Sequence, residues 1–319
     1  MKGNIMVERG TAAPALPIAT LLAAFGPNLE FAKDMAPLTS YNTGGPARYF
    51  LAAESAAEIT RGITEATRLG IPCFVIGGGS NLLISDDGFD GLIIKVDVRG
   101  IALSGDCEIK VGAGEDLMDL VNFATEHALT GIEFLAGIWG TVGGAVYGNA
   151  GAFGVEIGSV VTGVTIVTRD GKVKSAPPEY CRFGYRDSYL KTSHEVVVDT
   201  RIRLTKGERG QIKKKVDDIL AQRETKHPSS LTAGCFFKNI PDAKEKYGKL
   251  PAGRLLDEAG VKGLKVGGAR VYEKHANIIV NDGHATSKEI RQLADIMKQR
   301  VKDRFGIVLE EEVQQIGKF

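Results

Sequence analysis

The chain has 319 residues, 43% of them hydrophobic and 25% charged, and 40 Lys and Arg against 39 Asp and Glu leave a net charge of +1. Such a composition describes a globular protein with room for two or three domains, and a charge so near zero gives no electrostatic ground for nucleic-acid or membrane-surface binding. No apolar run approaches the ~20 residues of a membrane helix, residues 1–10 have no apolar core of a secretory signal, and Cys73, Cys107, Cys181 and Cys235 form no Cys-x-x-Cys pair, so a cytoplasmic protein with reduced thiols and no metal site is expected.

In chain order, residues 15–25 predict a short apolar helix ended by Gly26-Pro27. A polar glycine turn at 38–47 leads into a strand at 48–52. Residues 55–69 form an amphipathic helix with a serine cap and Gly70 after its end. Strands follow at 73–76 and 91–98, then a strand and turn at 109–114, with a helix at 116–127. A glycine-rich loop occupies 131–154. Residues 160–169 alternate as a strand, and Asp170-Gly171 signals a hairpin. A polar aromatic turn at 181–188 precedes a strand at 196–204. Residues 206–210 read as a linker, and 211–226 as a charged helix stopped by His227-Pro228. A compact segment at 232–240, a helix at 252–259 and a strand at 276–281 come next. Thr286-Ser287-Lys288-Glu289 is a capping box opening a long helix with Ile290, Leu293, Met297 and Val301 on one face, and 307–316 reads as the terminal strand.

Glycine makes up 40 residues, about one in eight against a usual ~7%, and two runs concentrate it. Between Gly137 and Gly154 seven residues are glycine; the other run is Ile76-Gly77-Gly78-Gly79-Ser80-Asn81-Leu82. Glycine costs backbone entropy in a helix or strand but lets a backbone turn tightly against a ligand, with N–H groups converging on anionic oxygens. Two such cradles suggest one long phosphate-bearing ligand held from two sides. The third Rossmann position is Leu82 rather than glycine, and no Walker loop is present.

Taken together, Tyr41-Asn42-Thr43-Gly44-Gly45-Pro46-Ala47, Gly77–Leu83, the 137–154 run, Tyr185-Arg186-x-Ser188, Gly234-Cys235-x-Phe237-Lys238-Asn239, Ala252-Gly253-x-Leu255-Leu256 and Leu309-Glu310-x-Glu312-Val313 resemble, in this order, the UDP-N-acetylenolpyruvoylglucosamine reductase (MurB) family. The likeness runs from about residue 38 to the C-terminus. It implies an α+β chain: a two-domain FAD-binding fold of the vanillyl-alcohol oxidase type, at 1–98 and 99–205, plus a C-terminal α/β substrate-binding domain at 206–319. It implies NADPH-dependent reduction of an enolpyruvyl ether to UDP-N-acetylmuramate in peptidoglycan precursor synthesis, with a UDP-sugar as partner; the oligomeric state stays open, a monomer being favoured. Residues 186–235 are too few for the extra loop of the longer family type, so the shorter type II form is expected. Rival readings are another FAD oxidoreductase of the same fold and a non-catalytic nucleotide-sugar-binding paralogue.

The FAD contacts that the resemblance implies are Tyr41, Asn42, Thr43 and Gly44; Ile76, Gly77, Gly78, Gly79, Ser80, Asn81 and Leu82; and Gly137, Ile138, Thr141, Val142, Gly143, Gly144, Asn149, Ala150 and Gly151. Ser80, Asn81, Thr141 and Asn149 are expected to use their side chains. No histidine lies in or beside either run, so the flavin is non-covalent. Tyr185, Arg223, Lys226, Lys238 and Asn239 are the candidates for UDP-sugar binding.

Three departures from the family pattern stand out: Trp139 and Ile240 replace prolines, and Cys235 replaces a proton-donating serine. Hydride addition to the vinyl carbon piles negative charge on the neighbouring carboxylate, which needs cationic or protonated donors. Arg186 offers a planar, permanently charged one. Strand periodicity puts Glu310 and Glu312 on one side and does not choose between them; the family match chooses Glu312, which serves only if protonated or as part of a relay. Cys235, a more acidic donor than serine, is expected to sit close and dry and to protonate the carbon next to the carboxylate.

Overall fold

The computed structural model describes residues 17–319 except 230, 246 and 247. The first two residues of the expected 15–25 helix, and the 1–10 stretch, lie outside the described residues; the helix runs Pro17–Phe25. Two compact units divide the chain: one holds the residues up to Lys33 with 47–78 and 90–221, the other 34–46, 79–89 and 222–319.

The first unit carries two sheets. One runs in the spatial order Leu29–Lys33, Ala47–Ala53, Phe89–Val96, Cys73–Ile76, with its first pair antiparallel and its last parallel. The helix Ala56–Leu69 is bounded as the sequence dictates: Ser55 accepts from Glu58 N, and Gly70 closes the end in the left-handed conformation. Its buried face is Ile59, Gly62, Ile63 and Ala66, three or four residues apart. Each buried isoleucine contributes roughly 1.5–3 kcal/mol, and Gly62 lets the helix sit close, since a Cβ there would stand 2.6 Å from Ile94 Cδ1. The second sheet is antiparallel, in the order Val173–Ala176, Val161–Val167, Val196–Arg203, Glu108–Gly112, Ile101–Leu103. Its hairpin turns at Asp170-Gly171, where Gly171 has φ +78°. One continuous hydrophobic core serves both sheets.

The second unit is smaller. Three short antiparallel strands, Lys265–Val266, Ala269–Val271 and Ile279–Asn281, pack under the helix Ser287–Phe305. That helix has the complete capping box of Thr286 and Glu289 and buries Ile290, Leu293, Ala294, Met297 and Val301. Asp86 adds a second cap: its carboxylate accepts from Ser287 N at 2.8 Å and Lys288 N at 2.9 Å, where the helix dipole favours negative charge. A parallel pair joins Leu82–Ile84 to Gln314–Ile316.

Four expectations need correction. The 137–154 run is not a loop throughout, because Val142–Gly148 is helical, capped by Thr141 and ended by left-handed Asn149; helix packing overrides the poor propensity of its glycines. The terminal strand is confined to Gln314–Ile316; ahead of it the pairing is reduced to an isolated bridge of Glu311 with Phe237. Residues 206–210 are no linker: Lys206 pairs with Leu129, and Arg209 opens the helix Arg209–Lys226. The 276–281 strand shortens to Ile279–Asn281. The strand Leu29–Lys33 escaped the pattern altogether, since its burial does not alternate.

Candidate functional site

Although far apart in sequence, the two glycine runs meet within the first unit. A Cβ on Gly78 would stand 3.1 Å from Gly140 Cα, and one on Gly77 2.4 Å from Thr141 Oγ1. Only glycine permits this approach. The amides at the start of the Val142–Gly148 helix are taken up internally: Val142 N donates to Glu115 O and Gly143 N to Ala113 O, both at 2.8 Å, and Gly144 N to Thr141 Oγ1 at 3.4 Å. The amides of Gly78, Gly79 and Ser80, by contrast, donate to no carbonyl or side chain among the described residues. Gly78 is exposed and Ser80 half-buried, so this run presents backbone donors suited to a pyrophosphate. Side-chain-poor walls whose amides have no acceptor among the described residues fit the phosphate-bearing part of FAD.

In the second unit, the 41–44 turn is rigid. Left-handed Asn42 has φ +53°, Thr39 Oγ1 donates to Thr43 O at 2.9 Å, and Ser287 Oγ donates to Thr43 Oγ1 at 2.9 Å. Gly44 passes Ile84 so closely that a Cβ would stand 2.8 Å from the isoleucine Cβ.

Two asparagines expected to reach cofactor have other tasks for their side chains. Asn149 is buried; its Nδ2 donates to Glu156 Oε2 and Gly184 O, both at 2.7 Å, and its Oδ1 accepts from Gly158 N at 3.0 Å. It thereby fixes the turn that carries Arg186. Asn81 Nδ2 donates to Glu312 O at 2.9 Å.

Arg186 sits in left-handed backbone, φ +51°, in a turn closed by reciprocal bonds of Gly184 and Asp187. Its Nη2 donates to Gly151 O at 2.8 Å, its guanidinium lies 5.4 Å from the Tyr185 ring, and Lys191 Nζ donates to its carbonyl. Ser188 Oγ donates to Tyr147 O at 2.6 Å. Burial, then the charge of Asp187, pushes the Tyr147 phenol up to about 12. No local pattern singled out Tyr147 or Lys191.

The segments that carry Cys235 and Glu312 adjoin in the second unit. Residues 235–238 run antiparallel to 310–312: Phe237 bridges Glu311, Glu312 N donates to Phe236 O and Lys238 N to Glu310 O, both at 2.8 Å. Cys235 bridges Ile278 on its other side. It is half-buried rather than fully dry. Buried Asn277, which the sequence reading missed, clamps the segment: its Oδ1 accepts from Phe237 N at 2.9 Å and its Nδ2 donates to Phe237 O at 2.8 Å. Among the three glutamates, Glu310 is exposed and pairs with Lys238 Nζ at 2.6 Å. Glu311 pairs with Arg291 at 3.0 Å and Lys298 at 3.1 Å. Glu312 is half-buried and fixed through its own amide and carbonyl.

The substrate candidates are spread more widely. Tyr185 stands beside Arg186, and Lys238 is held by Glu310. Asn239 Oδ1 accepts from Ala252 N at 3.0 Å and so opens the helix Ala252–Glu258. Arg223 and Lys226 lie in the last turn of Arg209–Lys226. Just beyond, His227 stacks on His275 with centroids 5.8 Å apart; burial first, then His275, pushes His227 down to about 4. Neither histidine was expected to matter. No helix among the described residues is long and apolar enough to cross a membrane, and none of their His, Cys, Asp and Glu groups could hold a metal ion.

The profile of the FAD-binding domain matches residues 47–176, so the glycine runs belong to a flavoprotein. The profile of the UDP-N-acetylenolpyruvoylglucosamine reductase C-terminal domain matches residues 226–316. A protein of Bacillus cereus (strain ATCC 10987 / NRS 248) named UDP-N-acetylenolpyruvoylglucosamine reductase 2 is 36% identical over 281 residues, 88% of this chain and 90% of its own. A Solibacter usitatus protein named UDP-N-acetylenolpyruvoylglucosamine reductase is 38% identical over 296 residues, 88% and 94% of the two chains. The crystal structure of UDP-N-acetylenolpyruvylglucosamine reductase (MurB) from Thermus caldophilus superposes with a TM-score of 0.76 at 34% identity, covering 91% of this chain and 98% of that one. The chain belongs to the UDP-N-acetylenolpyruvoylglucosamine reductase family, and the expected FAD-binding fold with an added C-terminal domain is borne out.

Proposed function

We propose that this chain is an FAD-containing, NADPH-dependent reductase that converts the enolpyruvyl ether of UDP-N-acetylglucosamine to UDP-N-acetylmuramate in peptidoglycan precursor synthesis. The observation that carries this is the joint match to both family domains along one chain, with Cys235 and Glu312 on adjoining segments. The functional division is 1–98 and 99–205 for the cofactor and 206–319 for the substrate.

FAD, when bound, would supply the hydride chemistry between NADPH and the vinyl carbon of the enolpyruvyl group. The residues that would hold it are those of the 41–44, 76–82 and 137–151 segments, with the Gly78, Gly79 and Ser80 amides on the pyrophosphate. Arg186 binds the substrate carboxylate and stabilises the charge that grows there. Glu312 acts on the same developing charge, as an acid or as part of a proton relay. Cys235 Sγ gives its proton to the carbon next to the carboxylate. A thiol, with a reference pKa of about 8.5, does this more readily than a serine hydroxyl. Tyr185, Arg223, Lys226, Lys238 and Asn239 meet the UDP-sugar. The enzyme works in the cytoplasm and is of the shorter family type.

The test is the visible spectrum of purified protein. A yellow preparation bleached by NADPH and re-coloured by the UDP-enolpyruvyl sugar supports the reading. Re-coloration by simple alcohol-derived carbonyls and not by the sugar would assign another substrate, and a protein that NADPH cannot bleach would be no reductase.

A further inference from the structure

Glu195, which the reductase reading does not use, is buried in the first unit just ahead of the strand Val196–Arg203. Its carboxylate has three donors. Tyr180 Oη donates to both of its oxygens at 2.9 Å, Ser193 Oγ donates to Oε2 at 2.9 Å, and Lys174 Nζ stands 3.1 Å from Oε1. Lys174 Nζ also donates to Tyr180 Oη at 2.7 Å, so cation, phenol and carboxylate close into one triad. Taking a carboxylate out of water is costly, and packed apolar side chains in place of a buried ion pair are often no less stable. Stability alone therefore gives little reason for the triad.

Tyr180 and Glu195 bracket the segment that carries Arg186. Between them stand Arg182 at φ +42°, Arg186 at φ +51° and His194 at φ +56°, all in left-handed backbone. Such conformations persist in non-glycine residues only where the surroundings impose them. From the triad a run of contacts leads to Arg186. The Tyr180 ring meets the Tyr189 ring edge-on, with centroids 5.5 Å apart. Tyr189 opens the short helix Tyr189–Ser193, and the Arg182 guanidinium lies 5.0 Å from its ring. From that helix Lys191 N donates to Ser188 O at 3.1 Å and Lys191 Nζ to Arg186 O. His194 ends the helix, and Glu195 follows it directly.

We propose that Glu195 is a positioning residue for substrate binding: with Tyr180 and Lys174 it fixes the 182–194 segment so that the Arg186 guanidinium is preset for the substrate carboxylate. The inference rests on the reductase reading. Arg186 is the group that meets the carboxylate, and Glu195 acts only through it. The planar fork of an arginine binds best when it is held in place before the ligand arrives. A misplacement of about 1 Å in such a group can cost up to about 100-fold. A buried ionic triad supplies that rigidity, because its partners and their directions are fixed where an apolar contact could slide.

The test is Glu195→Gln in FAD-loaded protein, with Tyr180→Phe as the milder variant should the first fail to fold. Calorimetric titration compares UDP-N-acetylmuramate, which carries the carboxylate, with UDP-N-acetylglucosamine, which lacks it. The expected Kd is about tenfold higher for the first sugar and unchanged for the second; equal weakening of both, or of neither, overturns the proposal. In an Arg186→Ala background, Glu195→Gln should weaken UDP-N-acetylmuramate no further, since the triad acts through the arginine; an additive loss overturns the proposal. If wild-type protein binds neither sugar, the substrate reading fails. Amide hydrogen exchange over residues 182–194 then still decides the role of Glu195: exchange about tenfold faster in Glu195→Gln supports it, and unchanged exchange overturns it.

Discussion

Asn81 is bonded twice to the segment carrying Glu312: its side-chain amide donates to Glu312 O at 2.9 Å, and its carbonyl accepts from Gln314 N at 3.0 Å. A residue of the first glycine run therefore helps to hold the segment on which the acid stands. Replacing Asn81 with Ala removes one hydrogen bond and should cost about 1 kcal/mol of stability. Because that side chain is committed to Glu312, FAD should stay bound while turnover falls about tenfold, a displacement effect of the kind expected when a catalytic group shifts slightly. Flavin content by absorbance and steady-state rate, measured together, check this; loss of flavin with an unchanged rate per flavin would contradict it.

For Cys235 the expected pattern is graded. Cys235→Ser should keep substantial turnover, since the hydroxyl occupies the same place. Cys235→Ala should still let NADPH bleach the flavin and then stall before product. Stopped-flow spectra separate the two stages, and an alanine variant turning over at the wild-type rate would remove Cys235 from the mechanism.

Two glycines should respond in opposite directions. Gly79 has φ +66°, and a Cβ there would lie 1.9 Å from Leu38 O. Gly79→Ala should destabilise by several kcal/mol and abolish flavin binding. Gly148 ends the Val142–Gly148 helix with nothing within 4 Å of a built Cβ. Gly148→Ala should stabilise by about 0.5 kcal/mol. Thermal melts of both variants test the pair.

The stacked histidines give a pH dependence with a definite sign. His227 is pushed down to about 4 in the fold, against about 6.5 in the unfolded chain. The unfolded state binds the extra proton between these values, so the contribution is full above about pH 6.5 and is lost as pH falls towards 4, on the order of 2 kcal/mol. His227→Gln should flatten denaturant-derived stability over that window. An unaltered slope would show that the stack titrates normally.

Much of this was legible in the sequence where local chemistry decides. Ser55 and Thr286 announce their helices because a side-chain oxygen must meet an orphan amide, and Gly171 marks its hairpin because the turn needs positive φ. What escaped depends on distant partners. The helix Val142–Gly148 forms because its first amides meet Glu115 and Ala113, which propensity does not record. Asn277 and Asn281 did carry a signal: amides flanking an apolar run have to be hydrogen-bonded when buried, and each holds a site segment. Periodicity left Glu310 and Glu312 open and the family motif chose Glu312; the ion pairs of Glu310 and Glu311 depend on distant residues that no local pattern records.

The pairing of Leu82–Ile84 with Gln314–Ile316 is a two-stranded sheet of its own. During synthesis the earlier strand leaves the ribosome about 230 residues before its partner, which at translation speed is a wait of roughly 10–50 s. Throughout that interval an apolar strand edge beside the glycine run is open to wrong pairing. A nascent chain of this protein thus passes through a long aggregation-prone stage, and slower translation or scarce chaperones should lower its soluble yield before any loss of activity appears in the finished molecule.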